Sequence, residues 1–255
     1  MQIMKILVTL ALENEFAPWR RLRGFKRIAG TNYAAYDGNV DSADVRVVLT
    51  GIGAVHAKPV VANALQWLPD VCISSGFAGS LRTTYCVGDV LAAREVMEME
   101  SGRTIAMDHD LLAAAEKRGI RTIGRLLSSA NMVPTAEGKS RLGSMAEAVE
   151  MESFAVLTEA ASRNVPAIAI RAISDLADED LPMDFSRVLD QQGNMSGSKI
   201  ARSLARAPHK LPALLRLGRN SQRAAAKLAE SLDAYIRYLG VRPSHTIEMA
   251  EATRA

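Results

Sequence analysis

An aspartate stands at the end of a segment whose composition is typical of a buried strand. Asp175 closes the sequence Arg-Ala-Ile-Ser-Asp, which follows a short apolar run opened by Pro166. Such a run predicts a strand that is covered on both faces. Because ligands of open α/β sheets bind outside the carboxyl ends of the strands, Asp175 stands where a general acid would be useful. The alternative is that Ser174 or Asp175 caps the next helix.

A second acidic segment precedes the first along the chain. Glu152 belongs to the sequence Val-Glu-Met-Glu-Ser and leads into a helical run with many small residues. An isolated glutamate at such a junction is most often a first-turn helix residue that the helix dipole favours. Its neighbour Met151 has an equally ordinary explanation as a core methionine. The order of the two segments is more specific: Val-Glu-Met-Glu, a helix, Val-Pro, an apolar strand, then Arg-Ala-Ile-Ser-Asp.

The elements that must position these acids alternate between strand and helix patterns. Apolar runs predict strands at 3–10, 45–50, 71–75, 90–96 and 167–173, and the clearest helices lie at 55–68, 111–118 and 153–163. This alternation predicts an α/β fold, a single three-layer domain with a mainly parallel mixed sheet and helices on both faces. We expect the domain to cover residues 1–240, with a basic helical extension at about 196–240, and we expect 241–255 to form a loose tail.

The composition excludes several classes of protein. A chain of 255 residues, 48% of them hydrophobic, can bury a large core, which argues against disorder. Two cysteines, and four histidines without ligand spacing, predict neither a disulfide framework nor a metal site, and no cofactor is expected. The apolar start is too short to span a membrane and is followed at once by Glu13 and Glu15, so it is interpreted as the first strand. We expect a cytoplasmic enzyme.

Three further segments complete a pattern that begins after the first strand. Ala-Leu-Glu-Asn-Glu occupies 11–15, Thr-Gly-Ile-Gly occupies 50–53, and Ser-Gly-Phe-Ala-Gly at 75–79 is followed by Val-Gly-Asp-Val at 87–90. A glycine pair alone would indicate only a tight turn. Together with the two acidic segments, the set resembles the nucleoside phosphorylase and nucleosidase superfamily, particularly methylthioadenosine/adenosylhomocysteine nucleosidases.

The resemblance implies a reaction and a role for each acid. Cleaving the N-glycosidic bond of a purine nucleoside builds positive charge on the sugar and negative charge on the departing base, which an acid relieves. Asp175 is similar to the family aspartate that protonates the purine, and burial or neighbouring negative charge is expected to keep it protonated. Glu15 matches the carboxylate that positions or activates the attacking water. Glu152 matches the carboxylate that holds the ribose hydroxyls.

The other candidate site residues also follow from the resemblance. Met151 would pack against the sugar, and Met132 and Val133 fall where the family places the pair that contacts the base. Ser174 and Arg171 would support the acids. The glycine segment contributes three more candidates for substrate binding, Phe77, Ala78 and Gly79.

Two departures from the family pattern bear on the nucleophile and on the substrate. Phosphorylases of the superfamily carry an arginine and a serine around the central glycine, where this chain has Ser74 and Phe77, so water is favoured over phosphate. A phosphorolytic purine nucleoside phosphorylase is one alternative, and a non-catalytic nucleoside-binding protein is another, since fold does not establish function. The connection between Val96 and Leu111 is short, which would leave the ribose 5′ end open to a bulky group.

The basic extension bears on partners beyond a small purine nucleoside. Residues 196–240 contain nine Lys/Arg and two Asp/Glu, with leucines among them. A solvated helical face that packs on the sheet is the first interpretation, and contact with a membrane surface is the second. Nucleic-acid binding is not expected, because no binding motif accompanies the charge. The short connection, the Gly-Phe-Ala-Gly sequence and this extension resemble the hopanoid-associated phosphorylase-like branch, which implies adenine release from an adenosylated lipid as an alternative. A homo-oligomer is expected, with a dimer favoured.

Overall fold

The computed structural model describes residues 3–190 and 192–241. The strands are β1 (Met4–Leu10), β2 (Lys26–Arg27), β3 (Ala34–Val40), β4 (Ala43–Leu49), β5 (Val71–Ser80), β6 (Val90–Glu98), β7 (Thr104–Ala106), β8 (Arg121–Ser128), β9 (Ala148–Glu150) and β10 (Ala167–Asp175). The helices are α1 (Glu13–Arg23), α2 (Ala54–Ala64), α3 (His109–Lys117), α4 (Ala136–Leu142), α5 (Ser153–Ala161), α6 (Gly197–Arg206) and α7 (Leu211–Val241). Short 3-10 turns occupy Leu65–Trp67, Phe185–Val188 and Pro208–Lys210.

The strands form one mixed sheet with a parallel centre. β1 pairs in parallel with β4 and with β5, and β5 pairs in parallel with β10. β8 also pairs in parallel with β6 on one side and with β9 on the other. The antiparallel pairs are β2–β3, β3–β4, β6–β7, β10–β6 and β5–β9. The predicted α/β fold with a mixed sheet is confirmed.

Alternate residues of β1 face two different layers of helices. Ile6 and Val8 belong to a large core that includes residues of α1, α3 and α7. Leu7 points the other way and packs with residues of α2 and α5. A strand that is buried on both faces requires this period of two. Helices therefore cover both faces of the sheet, as the sequence predicts.

Among the strands that are longer than their apolar runs predict, two pair with each other. β5 continues past residue 75 to Ser80, and β10 continues past residue 173 to Asp175. Their polar and glycine residues remain in the sheet because the two strands pair with each other, Arg171 with Gly76 and Ala172 with Phe77. Hydropathy does not reveal this extension, since the pairing uses backbone groups. Both extensions carry candidate site residues.

The basic extension divides into a packed half and an exposed half. From Ala224 to Leu239, α7 buries one face against the large core. Every residue of α6 is exposed or half-buried, and Leu211 and Leu215 at the start of α7 are 45% and 59% exposed. We call α6 and residues 211–223 the exposed basic segment. No helix in the described ranges is both long and apolar enough to cross a bilayer. The tail was predicted to begin at residue 241, but Val241 is the last residue of α7. Residues 242–255 lie outside the described residues.

Candidate functional site

One cavity gathers the residues that the sequence analysis identified. It has a volume of about 170 Å³ and lies where β1, β5 and β10 end. The carboxyl ends of parallel strands meet at one edge of a sheet, and the segments that follow them carry ligand-binding groups. All ten candidates lie in its wall: Asp175, Glu15, Glu152, Met151, Phe77, Ala78, Gly79, Met132, Val133 and Ser174.

Backbone amides hold Glu15 in the first turn of α1. Its Oε2 accepts hydrogen bonds from the amides of Ala11 and Leu12 at 2.7 and 2.9 Å, and its Oε1 accepts one from the Phe77 amide at 2.9 Å. Burial raises the pKa of Glu15, while these amides and Arg171 oppose the rise. A carboxylate with a raised pKa is a stronger base for a proton from bound water.

Glu152 joins the start of α5 to the glycine turn that follows β4. Its Oε1 accepts a hydrogen bond from the Gly53 amide at 2.8 Å, and its Oε2 lies 3.6 Å from the Arg171 guanidinium. Burial raises the pKa of Glu152 to about 8, with Arg171 opposing the rise and Glu150 adding to it. Glu152 immediately precedes α5, so the same residue both flanks the helix and lies in the cavity wall.

Arg171 is buried among polar groups beneath the cavity. Its guanidinium donates to the hydroxyls of Ser74 and Ser153 at 3.2 and 2.9 Å and forms an ion pair with Glu150. A Cβ on Gly76 would lie 2.5 Å from the guanidinium, which explains why glycine occupies that position. Arg171 therefore contacts protein groups beneath the wall, which agrees with the supporting role that the sequence analysis gave it.

A β-bulge places Asp175 in the cavity wall. Ile173 pairs with Ala78 and Asp175 pairs with Gly79, so Ser174 is an extra residue in β10. Bulges redirect side chains and are frequent beside active sites. The Ser174 hydroxyl donates to Asp175 Oδ1 at 2.8 Å. Glycine at 79 leaves room for the carboxylate, because a Cβ there would lie 2.8 Å from Asp175 Oδ2.

The group in contact with Asp175 carries positive charge. Lys139 of α4 is 0% exposed, and its Nζ lies 2.6 Å from Asp175 Oδ2. The same Nζ donates to the carbonyls of Leu176 at 2.7 Å and Glu179 at 3.1 Å. The charge in contact with Asp175 is therefore opposite to the neighbouring negative charge that was expected, beside burial, as one of two ways to keep it protonated. Lys139 was not predicted as a site residue, because a lysine in a segment of high polarity gives no signal that the fold will bury it.

The remaining wall is largely apolar, and much of it was not identified from the sequence. Leu181, Phe185, Met195 and Leu217 line the cavity, and Ser221 adds one hydroxyl. Leu217 and Ser221 belong to the exposed basic segment at the start of α7. The apolar residues between β10 and α6 were the only indication in the sequence. Their spacing follows neither a helix nor a strand periodicity, so it could not place them in the site.

The charged groups of the wall have one sign. Its acids are Glu15, Glu150, Glu152 and Asp175, and no lysine, arginine or histidine is among the described residues that line it. Within the described ranges, no group of three His, Cys, Asp or Glu side chains is arranged to hold a metal ion. Such a wall offers no basic side chain to a phosphate dianion, so it favours a neutral or electropositive ligand.

Comparison with known proteins adds independent findings. A family model described as the phosphorylase superfamily matches residues 5–207. The 5′-methylthioadenosine/S-adenosylhomocysteine nucleosidase of Colwellia psychrerythraea is 26% identical over 219 residues, which are 73% of this chain and 90% of that protein. Two solved structures share the fold. The corresponding nucleosidase of Neisseria meningitidis, in complex with methylthio-immucillin-A, has a TM-score of 0.72 at 23% identity and covers 91% of this chain and 98% of its own. Futalosine hydrolase of Helicobacter pylori has a TM-score of 0.71 at 22% identity and covers 92% and 97%.

Proposed function

The chain belongs to the phosphorylase superfamily, as its motifs predicted, and from that premise we propose that it cleaves the N-glycosidic bond of a 5′-substituted adenine nucleoside with water. The observation that carries the proposal is the presence of Glu15, Glu152 and Asp175 in the wall of one cavity. Hydrolysis of a purine nucleoside needs an acid that protonates the departing purine, a group that activates the water and a group that binds the ribose. The Colwellia relative is, by its name, a nucleosidase for such compounds.

Each carboxylate has one task in this proposal. Asp175 delivers a proton to the purine as the bond to the sugar breaks. Glu15 receives a proton from the attacking water, for which its raised pKa suits it. Glu152 forms hydrogen bonds with the ribose hydroxyls, and the ionised carboxylates of the wall stabilise the positive charge that develops on the ribose.

Two observations support water rather than phosphate as the nucleophile. The described residues of the wall include four acids and no basic side chain. Arg171 is buried 3.6 Å from Glu152, the carboxyl group proposed to bind the ribose, and is ion-paired with Glu150 beneath the wall. Phosphate recognition relies on arginine or on clusters of backbone amides, and three of the amides near this cavity already donate to Glu15.

Adenine release is the test of this proposal. Methylthioadenosine, adenosylhomocysteine and adenosine are each incubated with the enzyme, with and without phosphate. We expect free adenine from the 5′-substituted nucleosides without phosphate. Strict dependence on phosphate would identify a phosphorylase instead, and no release from any purine nucleoside, lipid-linked ones included, would identify a binding protein. A 2′-deoxy analogue reports on the ribose contact proposed for Glu152.

We further propose that the 5′ substituent is bulky and apolar and that the exposed basic segment contacts a membrane surface. Leu217 lines the cavity, whereas Leu211 and Leu215 of the same helix are exposed. Between residues 196 and 223 the chain has seven Lys/Arg and no Asp or Glu. This arrangement suits an amphiphilic substrate in an anionic bilayer, and an adenosylated hopanoid is the alternative substrate that it would support.

A homodimer is also proposed. Val55 of α2 and Leu68, which follows the 3-10 turn after it, are exposed apolar residues near one another in sequence. A second copy that covers both residues would remove them from water. Light scattering coupled to size-exclusion chromatography gives the mass, and a monomer at micromolar concentration would contradict the proposal.

A further inference from the structure

The contacts of Lys139 specify its protonation state. Its Nζ lies within hydrogen-bond distance of three oxygen atoms, Asp175 Oδ2 at 2.6 Å, the Leu176 carbonyl at 2.7 Å and the Glu179 carbonyl at 3.1 Å. An ammonium has three N–H donors and no acceptor, whereas a neutral amine has only two donors. Three oxygen partners therefore match the charged form, and a fully buried ammonium is stable only with such partners.

The contacts of Asp175 match the carboxylate form in the same way. Its Oδ1 accepts a hydrogen bond from the Ser174 hydroxyl at 2.8 Å, and its Oδ2 forms an ion pair with Lys139 Nζ at 2.6 Å. A carboxylate cannot act as an acid until it receives a proton. Of the two groups in contact with it, an ammonium is a much stronger acid than an alcohol.

We propose that the Lys139–Asp175 pair is the proton donor of this site, with the ammonium supplying through Asp175 the proton that the departing purine takes. The proposal rests on the proposed function, since it concerns the acid of that reaction. Substrate that fills the cavity displaces water and disfavours both charged forms, which promotes transfer of the proton within the pair. Lys139 acts through Asp175 and has no direct contact with the cavity.

The step balances in protons and electrons. An N–H bond of Lys139 breaks as an O–H bond forms on Asp175, and that O–H bond breaks as an N–H bond forms on the purine. The electron pair of the glycosidic bond leaves with the purine. The attacking water gives a proton to Glu15, and exchange with solvent then removes the proton from Glu15 and returns one to Lys139.

A purely structural role is the competing explanation, because Lys139 also holds the turn after β10 through two carbonyls. A double-mutant cycle separates the two explanations. Lys139→Met and Asp175→Asn are made singly and together, and kcat and KM for adenine release are measured. Arg141→Met is the control, because Arg141 lies on the same helix with an exposed side chain. Lys139→Gln keeps N–H donors for the carbonyls and serves if Lys139→Met does not fold.

We expect Lys139→Met to lower kcat by about 10²–10⁴-fold, as loss of a general acid does, while KM changes by less than about threefold. In the Asp175→Asn background, the same change should lower kcat by less than about threefold, because the acid is already absent. Equal losses in both backgrounds would overturn the proposal, as would retention of more than about a third of kcat in Lys139→Met. Adenine release by the wild type is measured first, and its absence would refute the proposed function and this inference together.

Discussion

The four acids of the cavity wall differ in the groups that hold them. Glu15 is bound by three backbone amides, and Glu152 by one amide beside a guanidinium. Glu150 pairs with the buried Arg171, and Asp175 contacts an ammonium. Because hydrogen bonds, charges and burial act differently on each carboxyl group, single substitutions should impair different steps of the reaction.

Asp175→Asn tests the proposed proton donor. The amide keeps the size of the side chain but has no proton that it can deliver to the purine. We expect the variant to fold and to lose about 10²–10⁴-fold in kcat, measured as adenine release from a 5′-substituted nucleoside. Circular dichroism provides the check on folding. A folded variant with more than about a third of the wild-type rate would show that Asp175 does not act as the acid.

Glu152→Gln should gain stability relative to the wild type as the pH rises from 5 to 8. Burial raises the pKa of Glu152 from 4.5 to about 8, so between these values the folded state keeps a proton that the unfolded state has released. The free energy of unfolding of the wild type therefore falls with pH across this window, and glutamine removes that loss. Tm by calorimetry should favour the variant more at pH 8 than at pH 5, and each gain of about 1 kcal/mol raises Tm by roughly 2–4 °C.

The exposed Glu137 supplies the matched control, Glu137→Gln, which should show no such trend. If the Tm difference between wild type and Glu152→Gln stayed constant from pH 5 to pH 8, Glu152 would not hold a proton in the folded state.

At the level of single residues, the sequence predicted three of the four acids but only some of their partners. Glu15, Glu152 and Asp175 each belong to a short motif, and all three lie in the cavity wall. Some partners are local, such as the Ala11 and Leu12 amides that bind Glu15, whereas others come from distant parts of the chain. The Gly53 amide that binds Glu152 is 99 positions away, and Lys139 belongs to α4, which the sequence analysis did not predict. Such contacts depend on the packing of elements, which local patterns do not encode.

Among the elements, α7 combines two environments in one helix. Its second half is buried in the large core, whereas its first half contributes Leu217 and Ser221 to the cavity wall and exposes basic side chains. The sequence analysis gave a solvated packed face and a membrane-contacting face as alternatives for this region. The packed face is present in the second half. Composition could not locate the division, because basic residues and leucines occur in both halves.

Anionic vesicles test the membrane contact. We expect the protein to bind vesicles that contain phosphatidylserine and to dissociate at high salt, because salt screens the attraction over about 10 Å at 0.1 M. The exposed basic segment includes three arginines whose side chains are exposed: Arg202, Arg206 and Arg219. Replacing all three by Gln should weaken binding on the order of 10²-fold, since each contributes about 1 kcal/mol near an anionic surface.

The control replaces three exposed arginines elsewhere, Arg21, Arg27 and Arg141, by Gln, which removes the same charge. This variant should bind vesicles like the wild type. Equal weakening in both triple variants would attribute binding to net charge alone, and no binding at low salt would refute the membrane contact. Both variants should cleave soluble nucleosides at the wild-type rate.

For the whole molecule, the second half of α7 attaches the end of the described chain to its beginning. Asp233 accepts hydrogen bonds from Trp19 Nε1 at 3.3 Å and from Arg23 at 2.8 Å, both on α1, and pairs with Arg237 at 3.0 Å. Burial alone would raise the pKa of Asp233, but the hydrogen bonds from Arg23 and Trp19 hold it below its usual range. The carboxylate therefore stabilises the fold above its ordinary pKa.

Asp233→Asn should lower the free energy of unfolding by about 2 kcal/mol near pH 7, because it removes charged hydrogen bonds at a largely buried site. The difference should shrink as the pH falls below 3.8, because the unfolded chain takes up a proton at its ordinary pKa while the folded carboxylate, whose pKa is lower, remains ionised. Urea unfolding at pH 7 and pH 3.5 measures both values. Asp37→Asn, in an exposed pair with Arg46, should change stability by less than about 1 kcal/mol. A pH-independent difference for Asp233→Asn would contradict the charge argument.

The overall architecture was predictable to a greater extent than its details. The alternation of strand and helix patterns predicted the layers and the mixed sheet, because the periodicity and length of each apolar segment distinguish strands from helices. The bulge at Ser174 was not predictable, because one extra residue in a strand changes neither composition nor hydropathy. Its effect on the site is nevertheless large, since it brings Asp175 opposite Gly79.

The bond between Trp19 and Asp233 gives the protein an intrinsic optical reporter. The chain has two tryptophans, of which Trp19 is buried between α1 and α7 and Trp67 is half-buried beside Arg46. Release of α7 from α1 would bring water to the Trp19 indole and move its emission to longer wavelength. Trp67 lies in the 3-10 turn after α2, beside Lys5 and Arg46. Replacing it by Phe leaves one tryptophan, whose emission wavelength reports the packing of α7 on α1.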